Sequence, residues 1–193
     1  MTKRDFYRVL GVAPIAPPDT IRKAYRALSK QYHPDRNPAA DAEQRMKELV
    51  DAYSHLNDRE KRKAYDNQPH FRLRPAPRDR RPLKSSQDQK KPASFWEKLT
   101  GRTRPPSKKD PKQVELHFTL GLSLAANDAM LEQSRDQFAT VLELDTTYLE
   151  ARYNYALLCY RLGDFESARS SFLQIANLAP GDQPTQRMLR ILA

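Results

Sequence analysis

The sequence predicts an all-α protein: two helical parts with an extended, basic connector between them. Three observations predict it. Apolar residues recur at steps of three and four towards both ends of the chain. Residues 67–112 show no such period and hold 8 of the 15 prolines. Within residues 113–193 two stretches match at a spacing near 34, the mark of a repeat array. The boundaries drawn from these signals are 1–68 for the first part, 69–112 for the connector and 113–193 for the second.

Composition agrees. The 193 residues are 38% hydrophobic and 30% charged, too polar for one continuous core, so folded parts joined by an unfolded one are expected. The net charge of +10 divides as +4 over residues 1–66 (14 Lys+Arg, 10 Asp+Glu), +10 over 67–112 (14 and 4) and −4 over 113–193 (6 and 10). An anionic partner would therefore meet the connector first. The single cysteine, Cys159, excludes a disulfide framework within the chain. His33, His55, His70 and His117 show no metal-ligand spacing, so no metal or cofactor is expected. No segment approaches the roughly 18 apolar residues of a membrane span, and no apolar signal run follows the charged Met1–Arg8. A reducing cytoplasm is the expected compartment.

Phe6, Tyr7, Leu10 and Val12 form a short apolar segment ending near Gly11. Pro17 and Pro18 suit a helix entrance, with Asp19 at the positive end of the next helix. There Ile21, Ala24 and Leu28 share a face, Arg22, Lys23, Arg26 and Lys30 populate the others, and Pro34 disfavours helix at His33. Asn37-Pro38 is a turn signal, and Asp41 with Gln44 has the spacing of a capping box. Met46, Leu49, Tyr53 and Leu56 then mark an amphipathic helix, and Asn57 with Glu60 is expected to cap a last, basic helix through Tyr65.

The connector reads as a solvated linker, interrupted by Phe95-Trp96-Glu97-Lys98-Leu99, a short helical motif for docking on a folded part or a partner. Beyond it, His117-x-x-Leu120-Gly121…Phe138…Leu144-Asp145 is matched by Tyr155-Ala156…Ala168…Phe172…Pro180. Gly163-Asp164 suits a turn between antiparallel helices, and Asp182 suits the cap of a final helix through Leu192.

Asp5-Phe6-Tyr7-Arg8-Val9-Leu10-Gly11-Val12, Ile21-Arg22-Lys23-Ala24-Tyr25-Arg26, Tyr32-His33-Pro34-Asp35-Arg36-Asn37-Pro38 and Lys63-Ala64-Tyr65-Asp66 stand in one order and frame. Together they resemble a J-domain of the DnaJ type, over about a third of the chain. Residues 113–180 resemble tetratricopeptide repeats. They depart from that pattern at Arg152 and Cys159, at Ser134 in place of alanine, and by one inserted residue near Asn127-Asp128. Neither a glycine/phenylalanine region nor a cysteine-rich zinc domain is present in the 193 residues.

The resemblance implies a co-chaperone that docks on a DnaK-type heat-shock chaperone and stimulates its ATP hydrolysis, through the helix ending at His33 and the loop after it. The expected docking residues are Arg22, Lys23, Tyr25, Arg26, Lys30, His33, Pro34, Asp35, Arg36 and Asn37. The physics of the first set is readable directly: a cationic face needs an acidic partner and sets on-rate and register, and Tyr25 can sit at its edge as an aromatic anchor. Asp35 offers a carboxylate to a cation on the partner, an arrangement whose strength grows when water is excluded. No nucleophile motif or phosphate-cradling glycine loop accompanies these residues, so no catalytic role is expected.

Tyr153, Asn154, Leu157, Tyr160 and Arg161 fall on the first helix of the second repeat, the helix that lines the groove in such arrays. An unidentified protein or peptide is the expected occupant, with a stripe of inter-repeat core as the competing reading. An acidic C-terminal tail is not expected there, because Phe118, Leu122, Pro184 and Met188 supply no donor where some tetratricopeptide co-chaperones place a carboxylate clamp. Nucleic acid or a ribosome held by the basic linker is the alternative function, weakened because the linker lacks repeated aromatic–basic interleaving. A scaffold with a degenerate J-domain is a third.

Overall fold

The computed structural model describes residues 5–33, 37, 39, 41–77 and 111–193. All regular structure among them is helical. The N-terminal part holds α1 (Phe6–Leu10), α2 (Pro18–Gln31), α3 (Ala42–Leu56) and α4 (Arg59–Asp66). The C-terminal part holds α5 (Pro111–Leu124), α6 (Leu131–Leu144), α7 (Leu149–Leu162), α8 (Phe165–Leu178) and α9 (Gln183–Ile191).

Most helix ends follow the sequence signals. Asp5 caps α1, accepting from the Arg8 N–H, and Gly11 closes it at φ 64°. Pro17 and Pro18 open α2, Asp164 caps α8 through the Ser167 N–H, and Asp182 caps α9 through the Thr185 N–H. Two expected caps differ. The Asp41 carboxylate makes no capping bond; it pairs with Arg45 Nε one turn on at 2.7 Å. Asp58, not Asn57, caps α4, accepting from the Glu60 and Lys61 N–H groups, because a cap residue must leave the helical backbone region and Asn57 is still in it.

In the C-terminal part α5/α6 and α7/α8 form successive hairpins and α9 packs on α8. The departures from the repeat pattern each have a physical reason. The inserted residue is taken up by a 3₁₀ turn at Asp128–Met130, closed by the Asn127 side chain accepting from the Ala129 N–H at 3.0 Å. Ser134 Oγ donates to the buried Gly121 carbonyl at 2.7 Å, which satisfies the hydroxyl. Gly121 lacks a Cβ where the Phe138 ring would meet one at 3.0 Å. The Arg152 guanidinium reaches out to the Thr146 carbonyl at 2.7 Å and to the Gln174 side chain. Cys159 is fully buried, and burial pushes its thiol up to about 11.

The largest difference from the sequence reading lies after α4. The linker was expected from residue 69, as a flexible tether between separate parts. Residues 69–74 instead lie on the C-terminal part. A 3₁₀ turn at Pro69–Phe71 buries His70 and Phe71. One core cluster joins Phe6, Tyr7, Leu10, Ile21, Leu49 and Leu56 to Phe71 and to Tyr153, Leu157, Tyr160 and Phe172. Elsewhere the two parts touch directly. Arg8 donates to the Ala193 carbonyl at 2.9 Å. Ala13 packs against Gly163, at φ 87°, with its Cβ 3.1 Å from where a Gly163 Cβ would stand. The Phe95–Leu99 motif lies outside the described residues.

Candidate functional site

α2 turns Ile21 fully into the core, with Ala24 and Leu28 packed against it. The remaining arc is cationic: Arg22, Lys23, Arg26 and Lys30 are all exposed. Arg22 meets Asp19 at 3.2 Å, but both side chains are largely in water (49% and 81% exposed). Such a pair contributes at most about 1 kcal/mol and leaves the face positive. Tyr25 is not a free anchor. Its ring stacks on Tyr53 of α3, with centroids 4.1 Å apart and planes 10° from parallel, so one face is committed to the helix pair.

The chain leaving α2 is held by side chains. The Tyr32 N–H closes the helix on the Leu28 carbonyl at 2.9 Å. Arg45 of α3 donates to the Tyr32 hydroxyl at 3.2 Å and lies over its ring. Asn37 draws the loop back: its amide donates to the Gln31 carbonyl at 3.2 Å, its N–H to the His33 carbonyl at 2.9 Å, and its Oδ1 accepts from the Ala39 N–H. His33 is exposed; Pro34, Asp35 and Arg36 lie outside the described residues. Asn37, expected as a docking residue, thus has a positioning job. Sequence reasoning missed Tyr32 and Arg45, for which the Asp41–Arg45 spacing was the available signal.

The second group of predicted residues is brought together by α7. Tyr153, Asn154, Leu157 and Tyr160 are buried, and Arg161 is half-buried. Residues 70–74 of the same chain lie against Tyr153, Asn154 and Tyr160. The Tyr153 hydroxyl donates to the His70 carbonyl at 2.7 Å. The Asn154 amide grips the Arg74 backbone from both sides: the Arg74 N–H donates to Oδ1 at 2.7 Å, and Nδ2 donates to the Arg74 carbonyl at 2.9 Å. Phe71 stacks on Tyr160 at 5.3 Å and 11°. The Arg74 guanidinium sits 3.6 Å from the Tyr153 ring centre and 2.6 Å from Asp182 Oδ2. Burial holds His70 down to about 4, a neutral imidazole.

Next to this groove Asp5 is fully buried. Its Oδ1 accepts from the Tyr65 hydroxyl at 2.6 Å and from the Tyr160 hydroxyl at 2.7 Å. Oδ2 accepts from the Arg8 N–H at 3.0 Å. Burial raises the Asp5 pKa above the usual carboxylate value, while its three donors pull it back. Burial raises the Tyr160 hydroxyl too. Neither Asp5 nor the 70–74 segment was predicted as a site.

The order and packing of helices α1–α4 define the class of the N-terminal part, and comparison with known proteins agrees. Residues 5–66 match the DnaJ domain family model. The chain is similar to chaperone protein DnaJ of Enterococcus faecalis, 56% identical over 69 residues, which are 36% of this chain and 18% of that one. DnaJ of Geobacillus thermodenitrificans is 59% identical over 66 residues, 34% and 17%. DnaJ of Burkholderia thailandensis is 54% identical over 76 residues, 39% and 20%. The chain thus spans a fifth or less of these relatives' length. No solved structure matches the chain significantly. Residues 5–66 are a J-domain of the DnaJ type, followed by C-terminal helical repeats.

Proposed function

We propose that this chain docks through α2 and the loop after it on a DnaK-type heat-shock chaperone and stimulates that partner's ATP hydrolysis, while its repeats, which resemble tetratricopeptide repeats, recruit a client or adaptor. One observation carries the reading. The J-domain is packed on the repeats through α1 and residues 69–74, yet the cationic arc Arg22, Lys23, Arg26 and Lys30 stays exposed. The face that would meet an acidic partner is therefore open while the domain is held. The chain is held on either side of residues 34–36, by Tyr32 with Arg45 and by Asn37. That is the condition under which the Asp35 carboxylate could pair with a cation of the partner. The chain would supply no chemistry of its own, and hydrolysis belongs to the partner.

The test is steady-state ATP hydrolysis by a DnaK-type chaperone with and without the full chain. Asp35→Asn should remove the stimulation and keep the helical circular-dichroism signal. A folded mutant that stimulates as well as the wild type refutes the role given to Asp35.

A further inference from the structure

The groove along α7 is built to hold an extended peptide, and what it holds is this chain. We propose that it is a binding site for extended segments of the pattern aromatic-x-leucine-arginine, that Phe71–Arg74 occupies it as an intramolecular competitor, and that a partner protein presenting such a segment takes its place. The inference rests on reading the repeats as the recruiting arm and is independent of the ATPase reading of the J-domain.

Much of the recognition is of backbone. Asn154, with no exposed surface, satisfies both the N–H and the carbonyl of Arg74. The Tyr153 hydroxyl takes a second carbonyl four residues earlier, at His70. Any chain that repeats this course, a turn at the His70 and Phe71 positions and extended backbone after it, offers these groups, so the three bonds fix direction and register without reading sequence. Arg72, in between, has extended backbone (φ −96°, ψ 139°) and is exposed, the free position of the pattern.

Three side chains supply selectivity. Phe71 lies flat on Tyr160, and an aromatic ring is what a parallel aromatic face prefers. Leu73 packs against both apolar clusters. Arg74 places one guanidinium over the Tyr153 ring and against the Asp182 carboxylate together. A planar guanidinium suits this pairing better than a compact ammonium, because it stacks flat on the ring while its edge N–H groups meet the carboxylate. The arginine end is also where exchange can begin, since the Arg74 and Asp182 side chains keep 22% and 20% of their surface in water. When the segment leaves, the Asp5–Tyr160 and Arg8–Ala193 bonds still join the J-domain to the repeats, so an incoming peptide is held beside the J-domain.

A competitor on the same chain acts at an effective concentration in the millimolar range, and the apparent affinity for an external peptide falls by the fraction of time the groove is free. The probe is a fluorescein-labelled peptide of residues 68–77, titrated against the full chain by anisotropy. Arg74→Glu in the chain sets a carboxylate against Asp182 and loosens the internal segment. This variant, shown folded by circular dichroism, should bind the wild-type peptide about tenfold or more tightly than the wild-type chain does. Peptides carrying Phe71→Ala or Arg74→Glu should not bind it. Pairing the Arg74→Glu peptide with an Asp182→Lys chain, whose own Arg74 then faces a lysine and is loosened, should restore binding; if that chain does not fold, the peptide series decides alone. Equal binding to wild type and variant, binding indifferent to the peptide's Phe71 and Arg74, or no binding to the folded variant would each overturn the proposal. ATPase stimulation measured on the same variant keeps the two readings apart: retained stimulation without peptide binding defeats this one alone.

Discussion

Replacing Tyr160 by phenylalanine should uncouple the J-domain from the repeats by an amount that depends on pH. The mutation deletes one hydroxyl, 2.7 Å from Asp5 Oδ1. It keeps the ring, and with it the stack on Phe71 and the contact with Phe165, so packing changes little. Tyr160 is only 2% exposed, so water does not replace the lost donor. A hydrogen bond to a neutral acceptor contributes about 1 kcal/mol and one to a charged acceptor about 1.5–3 kcal/mol. Which applies depends on Asp5. Burial raises its pKa in the folded chain, against the pull of Tyr65, Tyr160 and the Arg8 N–H. A carboxyl raised above its unfolded value contributes stability that is fully present below the ordinary carboxylate value of 3.8 and is lost as pH rises through the folded pKa. Removing the Tyr160 donor raises the folded pKa further and deepens that loss. The cost of Tyr160→Phe should therefore be about 1 kcal/mol near pH 3.5, where Asp5 is protonated, and should grow between pH 3.5 and pH 7, toward about 1.5–3 kcal/mol as the carboxylate forms. Urea unfolding of the full chain at both pH values, followed by far-ultraviolet circular dichroism, measures the difference, and groups common to both chains cancel. A cost below about 0.5 kcal/mol at pH 7, or one that does not change with pH, would refute the assignment of Asp5 as the buried acceptor joining the two parts.

Charge reversal of the exposed arc, Arg22→Glu with Arg26→Glu, should slow association with a DnaK-type chaperone about tenfold or more at low salt, with a smaller change in dissociation; stopped-flow binding across ionic strength checks it, since exposed charges are screened over about 8–10 Å at physiological salt. The Arg72–Leu73 bond should resist trypsin in the wild-type chain, although Arg72 itself is exposed, because both neighbours are seated in the α7 groove. It should become a cleavage site in the Arg74→Glu chain, as mass spectrometry of early fragments would read. An acidic peptide ending in a free carboxylate should not bind the groove at micromolar concentration even in the Arg74→Glu chain, because Asp182 faces the position it would occupy.

The helices were legible because periodicity and caps are local. Ile21, Leu49 and Leu56 repeat at helical spacing and are buried as read, and the Gly163-Asp164 turn and the Asp182 cap fall where expected. The two caps that differed, Asp41 and Asn57, also had the right residue types. What decided them was the backbone angle at one position and a competing arginine one turn on, neither of which a residue pattern encodes. Tyr25 shows the same limit on the docking face: its place at the edge of the cationic arc followed from the helical period, whereas the stack on Tyr53 depends on how α2 and α3 meet.

The contact between the two parts was illegible for a different reason. Its residues stand alone, in a stretch whose prolines and arginines read as solvated chain, and an extended segment with every third or fourth position unremarkable has no period to detect. Arg74 acquires meaning from partners far along the chain, Asn154 at 80 positions and Asp182 at 108, and Phe71, though it touches Tyr65, takes its place in the groove from Tyr160. The complementary half was half-visible. Tyr153, Asn154 and Tyr160 were singled out as groove residues, and a buried core stripe was weighed against an open groove. Burial and recognition are the same contacts here. Tyr160 is buried because Phe71 lies on it and Asp5 accepts its hydroxyl, and Asn154 is buried because a peptide backbone fills both its hydrogen-bonding sides. A polar amide with no exposed surface would be costly in a stripe of apolar core. Its presence among Tyr153 and Leu157 was the one signal in the sequence that this helix faces a backbone rather than another helix.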